Sequence, residues 1–167
     1  MLTQLLIIVI IIETIYQPAN GQDCLTTHNY LRAIHGSSPL EYDEELERFA
    51  LKRAEYMATT DIFQHPKRLP YGENLYWRKG SVPTCQDAVM NWYNEISLYQ
   101  YNWPRYSPKT GHFTQIVWKD TQKIGCAAAQ SPRTERIYIA CNYYPPGNVR
   151  GFFKQNVAYP LYGQSSK

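Results

Sequence analysis

Apolar residues between 43 and 59 recur at helical spacing: Leu46, Phe49, Ala50, Ala54 and Met57 share one face. Asp43, Glu44 and Glu45 lead into that face and suit the positive end of a helix dipole, so the pattern predicts a helix over 43–59. The same period puts Ala88, Val89, Trp92, Tyr93 and Ile96 on one side of a helix over 84–99. An earlier helix, capped by Asp23, is predicted to run to about His35, where Gly36-Ser37-Ser38-Pro39 stops it. Strand character dominates later, over 124–130 and 136–143, with a turn-like Ser-Pro-Arg-Thr between them. A shorter strand is predicted over 72–77. The stretch 100–109, rich in aromatics and prolines, reads as an ordered loop; 111–118 is ambiguous by pattern and is read as a short helix; 145–167 reads as mostly irregular. Helices first and strands last imply an α+β or layered α-β-α domain rather than alternating β-α units.

The first residues stand apart from this pattern. Residues 5–12 are eight consecutive apolar residues, and Ala19-Asn20-Gly21 fits the small-residue pattern read by signal peptidase. The run is too short for a stable bilayer span, although an uncleaved anchor is the rival reading, and the segment before the run carries no Lys or Arg. A signal peptide is therefore expected over 1–21, with one domain over 22–167. Removing Glu13 leaves 17 basic against 13 acidic residues, a charge of +4 with His neutral. Such a balance suits weak attraction to acidic surfaces and carries no nucleic-acid signature. No later segment is predicted to span a membrane, so a secreted, extracellular product is expected.

Four cysteines, at 24, 85, 126 and 141, read as two disulfides in an exported chain, with three possible connectivities. If 124–130 and 136–143 pair as a hairpin, Cys126 and Cys141 come close enough to bond, and Cys24–Cys85 follows by elimination. That bridge argues against a cysteine–zinc site. No Asn-x-Ser/Thr sequon occurs, and neither do a Gly-x-Ser-x-Gly elbow, a P-loop, a dinucleotide fingerprint or a His-Glu-x-x-His pair.

Candidate chemistry comes down to two histidines and two glutamates. Glu95 falls about 20° outside the apolar arc of its predicted helix, partly buried and in need of a donor. His65 precedes Pro66, which biases it toward extended backbone. Glu73 follows Gly72 in a short strand, and His112 follows Gly111 at a predicted helix start. Taken singly, each has an ordinary structural explanation: a hydrogen-bonded carboxylate, a loop histidine, a solvated glutamate, a capping ring.

Taken together these residues are recognisable. His28-Asn29-x-x-Arg32, Gly72-Glu73-Asn74-Leu75, Gly-His-Phe-Thr-Gln-Ile-Val-Trp at 111–118 and Cys-Asn-Tyr-Tyr-Pro-Pro-Gly-Asn at 141–148 appear in order across nearly the whole mature chain. The chain resembles the CAP superfamily: cysteine-rich secretory proteins, antigen 5 and pathogenesis-related class-one proteins (the SCP domain). It is read as a single-domain secreted member. The resemblance implies a three-layer α-β-α sandwich with a small central antiparallel sheet. It also implies a cleft tetrad that maps onto His65, Glu73, Glu95 and His112. His28, Asn29 and Arg32 are read as packing and hydrogen-bonding structure.

The resemblance further implies a protein that is not an enzyme and that binds lipid, sterol or an extracellular protein partner. The aromatics Trp77, Tyr99, Tyr101 and Trp103 would form its apolar surface. Its cleft would be able to coordinate a divalent metal such as Zn2+ on His65 and His112. The alternative is a metal-dependent, protease-like hydrolase using the same four residues.

Overall fold

The computed structural model describes residues 21–161. The expected signal peptide, apart from Gly21, lies outside the described residues, as do the last six residues of the expected domain.

The strongest sequence pattern gives the best-defined helix. α2 (Glu44–Thr60) is capped by Asp43, whose carboxylate accepts from the amides of Glu45 and Leu46 at 2.9 and 3.0 Å. Those bonds, with the Lys123 ammonium 3.0 Å away, hold the Asp43 carboxyl below the usual carboxylate range. At the other end the chain turns at Asp61, in the left-handed region (φ 56°), and its amide reaches back to Met57. Leu46, Ala50, Ala54, Met57 and Ala58 are buried against the sheet. The approach is closest at Gly125, where any β-carbon would collide with the backbone of Leu46 and Glu47.

The sheet has four strands in the order β1-β3-β4-β2: β1 (Glu41–Tyr42), β2 (Gly72–Lys79), β3 (Lys123–Gln130) and β4 (Arg136–Tyr144). β3 and β4 form the expected antiparallel hairpin with Cys126 opposite Cys141, and β2 pairs antiparallel with β4. β1 was not expected. Its two residues pair parallel with β3, so the sheet is antiparallel only across its other three strands. A two-residue strand has no periodicity of its own, and only its partner defines it.

Both faces of the central strands are covered, which is why β4 is buried from Ile137 to Tyr143 rather than alternating. On one face Tyr138, Ala140 and Leu75 pack with Ala50 and Met57 of α2. On the other, Ile137, Ile139, Cys141 and Tyr143 pack with Trp92, Phe113 and Trp118 beneath α1 (Gly21–Ile34), α3 (Cys85–Tyr93) and α4 (Gly111–Ile116). A last short helix, α5 (Phe153–Asn156), adds Phe153 edge-on to Trp118. The result is the α+β, three-layer sandwich.

Predicted boundaries move: β2 runs two residues further, to Lys79, and α4 stops two residues short, at Ile116. α1 begins upstream of Asp23, which lies in its first turn instead of capping it. The helix predicted over 84–99 is α-helical only to Tyr93 and then tightens into a 3-10 turn, Asn94–Leu98. Its start is a capping box between Thr84 and Asp87. Both disulfides are Cys24–Cys85 and Cys126–Cys141.

Buried polar groups explain why the sequence signatures are so restrictive. Arg32, fully buried, donates to the carbonyls of Ser38, Ile116, Trp118 and Thr121 at 2.7–2.9 Å. Asn29 bonds both backbone groups of Leu40. His28 bridges the Cys24 carbonyl and the Tyr143 hydroxyl, and burial lowers its imidazole to about 4. Gln115 accepts from the Gly147 amide at 2.8 Å and donates to Thr121, and it fills the space where side chains at Gly72 and Gly147 would stand. Three of the signatures are thus locked together by one glutamine.

Candidate functional site

β2 is an edge strand, and the four candidate residues gather along it as two separate pairs. The first pair joins the loop after α2 to the strand. Glu73, with its side chain only 1 % exposed, accepts from His65 Nδ1 at 2.8 Å through Oε1 and from Arg53 Nε at 2.9 Å through Oε2. Arg53 also donates to the Gln64 carbonyl at 2.8 Å, fixing the loop that presents His65. A buried carboxylate needs this pairing, because an isolated charge there would be strongly disfavoured. The His65 ring remains half exposed.

The second pair joins the 3-10 turn to α4. Glu95 Oε1 receives His112 Nδ1 at 2.7 Å. Its Oε2 receives the backbone amides of His112 and Phe113 at 3.0 and 3.1 Å. Thr110, at the N-cap position of α4, makes no capping bond through its side chain, so Glu95 supplies the cap from another element. The His112 ring stacks on Trp92, with centroids 6.0 Å apart and planes 24° from parallel. Trp92 is itself held by its indole N–H on the Leu75 carbonyl at 2.9 Å. Asn74, the neighbour of Glu73 on β2, donates to the His112 carbonyl at 3.1 Å and ties the two pairs to one strand.

A carboxylate only accepts, so the Nδ1 of each neutral imidazole carries the proton and Nε2 is left as the ring's acceptor and ligand atom. Carboxylate-oriented imidazoles of this kind are suited to a metal. The four residues do not close into a three-ligand cradle, however. Among the described residues, the ligand atoms of three or more His, Cys, Asp or Glu side chains come within 4.8 Å of one another only at the four cysteine sulfurs. A metal on His65 and His112 would complete its coordination with water.

The helix and strand patterns gave no sign of Arg53. It flanks the apolar face of α2 one turn from Phe49 and Met57, and the only hint is a cation at that border. The capping role of Glu95 was equally hidden, because its partners are backbone amides 17 and 18 residues away.

The loop between the 3-10 turn and α4 forms a second feature. Tyr99 is buried and meets Tyr101 edge-on at 4.8 Å, and Tyr101 stacks on Tyr159 at 4.0 Å. A cavity of about 410 Å³ lies against these rings and Trp103, and another of about 260 Å³ continues toward Leu98, Arg105 and Lys109. Among the described residues, the Tyr99 and Tyr101 hydroxyls are buried without a hydrogen-bond partner. Burial pushes the Tyr99 phenol up to about 12 and raises Tyr101 as well, so both stay protonated donors. Trp103 is largely exposed, with the Arg105 guanidinium 5.6 Å from its ring centroid. Trp77 does not join this group: it lies on β2 with Arg136 over its ring at 4.5 Å.

A family model described as CAP, Cysteine-rich secretory protein family, matches residues 25–143. The human Golgi-associated plant pathogenesis-related protein 1 is 37% identical over 143 residues, covering 83% of this chain and 92% of the relative. Pathogenesis-related protein 1C of Nicotiana tabacum is 35% identical over 153 residues, covering 90% of each. The crystal structure of NaASP2 with Zn2+ superposes with a TM-score of 0.66 at 24% identity, over 86% of this chain and 90% of that one. The venom allergen-like protein 4 of Schistosoma mansoni superposes with a TM-score of 0.63 at 22% identity, over 84% and 95%. At those identities the structural matches speak for the fold alone.

Proposed function

The chain belongs to the cysteine-rich secretory protein (CAP) family, and on that premise we propose that it is a secreted binding protein, not an enzyme. The ligand is a lipid or sterol taken up by the aromatic loop that precedes α4. One observation carries this reading: two buried phenol hydroxyls, on Tyr99 and Tyr101, have no partner among the described residues and belong to residues that line an aromatic cavity. Buried donors are normally satisfied. A sterol hydroxyl or lipid headgroup oxygen would satisfy them once the rings turn to expose them to the cavity, while its apolar body covers Trp103 and Leu98. Arg105 and Lys109 at the rim suit an acidic headgroup. Two disulfides, and the lack of a membrane-spanning helix among the described residues, accord with export.

The test is titration of the oxidised chain with a fluorescent sterol and with phosphatidylcholine vesicles with and without phosphatidylserine. Saturable binding that Trp103→Ala weakens at least tenfold supports the reading. Sterol and vesicle binding that is absent, or is unchanged in that variant, overturns it.

A second reading concerns the histidines. His65 and His112 would hold a divalent metal such as Zn2+ through Nε2, each oriented by its glutamate, and the metal would supply a Lewis acid at the edge of β2. Calorimetric titration with zinc at pH 7.4 and 5.5, beside His65→Ala/His112→Ala, tests it. Binding lost with acid and in the variant is expected, because protonation removes the ligands. Equal binding by the variant overturns it. Hydrolysis ranks lower on this geometry. Glu73 is engaged by Arg53 and His65, and Glu95 by His112 and two backbone amides, so neither carboxylate is free to serve as a base.

A further inference from the structure

The two disulfides are neighbours. Cys24 comes from α1, Cys85 opens α3, and Cys126 and Cys141 face each other across β3 and β4, yet all four Sγ atoms lie within 4.8 Å of one another. All four residues are buried, at 0–1 % exposure. A tetrahedral zinc thiolate, with Zn–S near 2.3 Å, spaces its sulfurs about 3.8 Å apart. The four sulfurs stand as two bonded pairs inside that 4.8 Å span, so breaking both bonds and moving each pair apart would bring four ligands around one centre.

The scaffold around them does not depend on the bridges alone. The sheet register keeps the Cα atoms of Cys126 and Cys141 4.1 Å apart, and those of Cys24 and Cys85 are 5.2 Å apart. α1 is pinned one turn beyond Cys24 by His28, which holds the Cys24 carbonyl and the Tyr143 hydroxyl, and two turns beyond by the four carbonyls on Arg32.

We propose that this cluster is a redox-alternating zinc site: two disulfides when oxidised, one Zn2+ on Cys24, Cys85, Cys126 and Cys141 when reduced. Each disulfide takes two electrons and two protons from a dithiol reductant, which leaves as its own disulfide. The four thiols then release up to four protons to solvent as four Zn–S bonds form. Reoxidation by exchange with a disulfide oxidant, which takes two electrons and two protons per bridge and leaves as its dithiol, expels the ion. The site is separate from the histidine pairs and needs no ligand from them.

The experiment uses the chain fully reduced with a phosphine under anaerobic conditions and titrated with cobalt, then with zinc. A thiolate-to-cobalt charge-transfer band saturating at one ion per chain is expected. Zinc should displace it, and zinc should raise the melting temperature of the reduced chain. The oxidised chain and reduced Cys24→Ala/Cys85→Ala, which keeps only the hairpin pair, should lose the band, whereas His65→Ala/His112→Ala should keep it. Absence of the band in the reduced chain overturns the proposal, as does a band of undiminished strength in the cysteine double variant. If reduction unfolds the chain, circular dichroism decides: refolding on zinc addition supports the site, and a chain that stays unfolded with zinc sinks it.

Discussion

The two histidine–glutamate pairs share chemistry but not construction. Glu73 is a buried charge balanced by Arg53, and its histidine stands half exposed on a loop that the same arginine fastens. Glu95 is a helix cap that also holds a ring, and that ring lies flat on a buried tryptophan. The first pair is therefore an electrostatic device whose histidine can move at small cost. The second is part of the framework, and its histidine is placed by packing. A shared ligand would find His112 already in position, with most of the adjustment left to His65.

The largest effect should come from breaking the first pair at its buried end. Glu73→Ala leaves the Arg53 guanidinium, 11 % exposed, without its carboxylate, and about 3 kcal/mol of stability should be lost. The matching test is rescue. Arg53→Met placed on Glu73→Ala should recover a large part of that loss in denaturant melts, because a vacated ion pair replaced by apolar contact is close to neutral. If the double variant is as unstable as the sum of the singles, the charge balance described here is wrong.

Acid sharpens the comparison only after His28 is accounted for. Burial depresses its folded-state value to about 4, whereas the unfolded chain takes up the proton near 6.5. The unfolded state then binds more protons between those values, so stability should be full above about pH 6.5 and fall on acidification toward pH 4. Below that the His28 contribution should level off, at a loss on the order of 3 kcal/mol, while His35, also lowered by burial, adds to the fall and the depressed Asp43 carboxyl carries it further at lower pH. Urea midpoints from pH 7.5 to 4 measure it. A flat profile would contradict the burial of His28, and zinc binding lost over the same range must be compared with His28→Gln before it is credited to the pairs.

The second pair should yield less. Glu95→Ala strips acceptors from two backbone amides and an imidazole, a cost of about 2 kcal/mol, and Glu95→Gln should restore roughly half by keeping one amide-accepting oxygen. Amide exchange at Phe113 reports the cap directly. Exchange no faster in Glu95→Ala than in the parent would remove the capping role.

How far these features could be read beforehand depends on whether their causes are local. α2 was legible because Leu46, Ala50, Ala54 and Met57 repeat at one period and Asp43 caps them from the adjacent position. The β3–β4 hairpin was legible because a turn separates two apolar runs, and its disulfide followed. β1 was not, because two residues become a strand only through β3. The helix predicted to Tyr99 fails at Asn94, where Ile96 and Tyr99 continue the apolar period while the backbone tightens into a 3-10 turn that brings Glu95 to the α4 amides. Glu73 and His112 lie within the signatures, and the family resemblance placed His65 and Glu95 beside them. That they form two unlike pairs, with Arg53 in one and Trp92 beneath the other, depends on contacts across 17 to 20 residues that no local period encodes.

The smallest predicted effect is the most direct probe of the difference between the pairs. His112→Ala removes a ring stacked on Trp92 and bonded to Glu95, and should cost about 1 kcal/mol. His65→Ala removes a half-exposed ring from a carboxylate that keeps Arg53, and should cost under about 0.5 kcal/mol. Zinc calorimetry should not separate the two, since either variant deletes one of two imidazole ligands and should weaken binding by a comparable factor. A common loss of affinity with an uncommon loss of stability would show two ligands of one site built by different means. If His65→Ala proves the more destabilising, the loop is part of the framework after all, and the contrast between a movable and a fixed histidine does not hold.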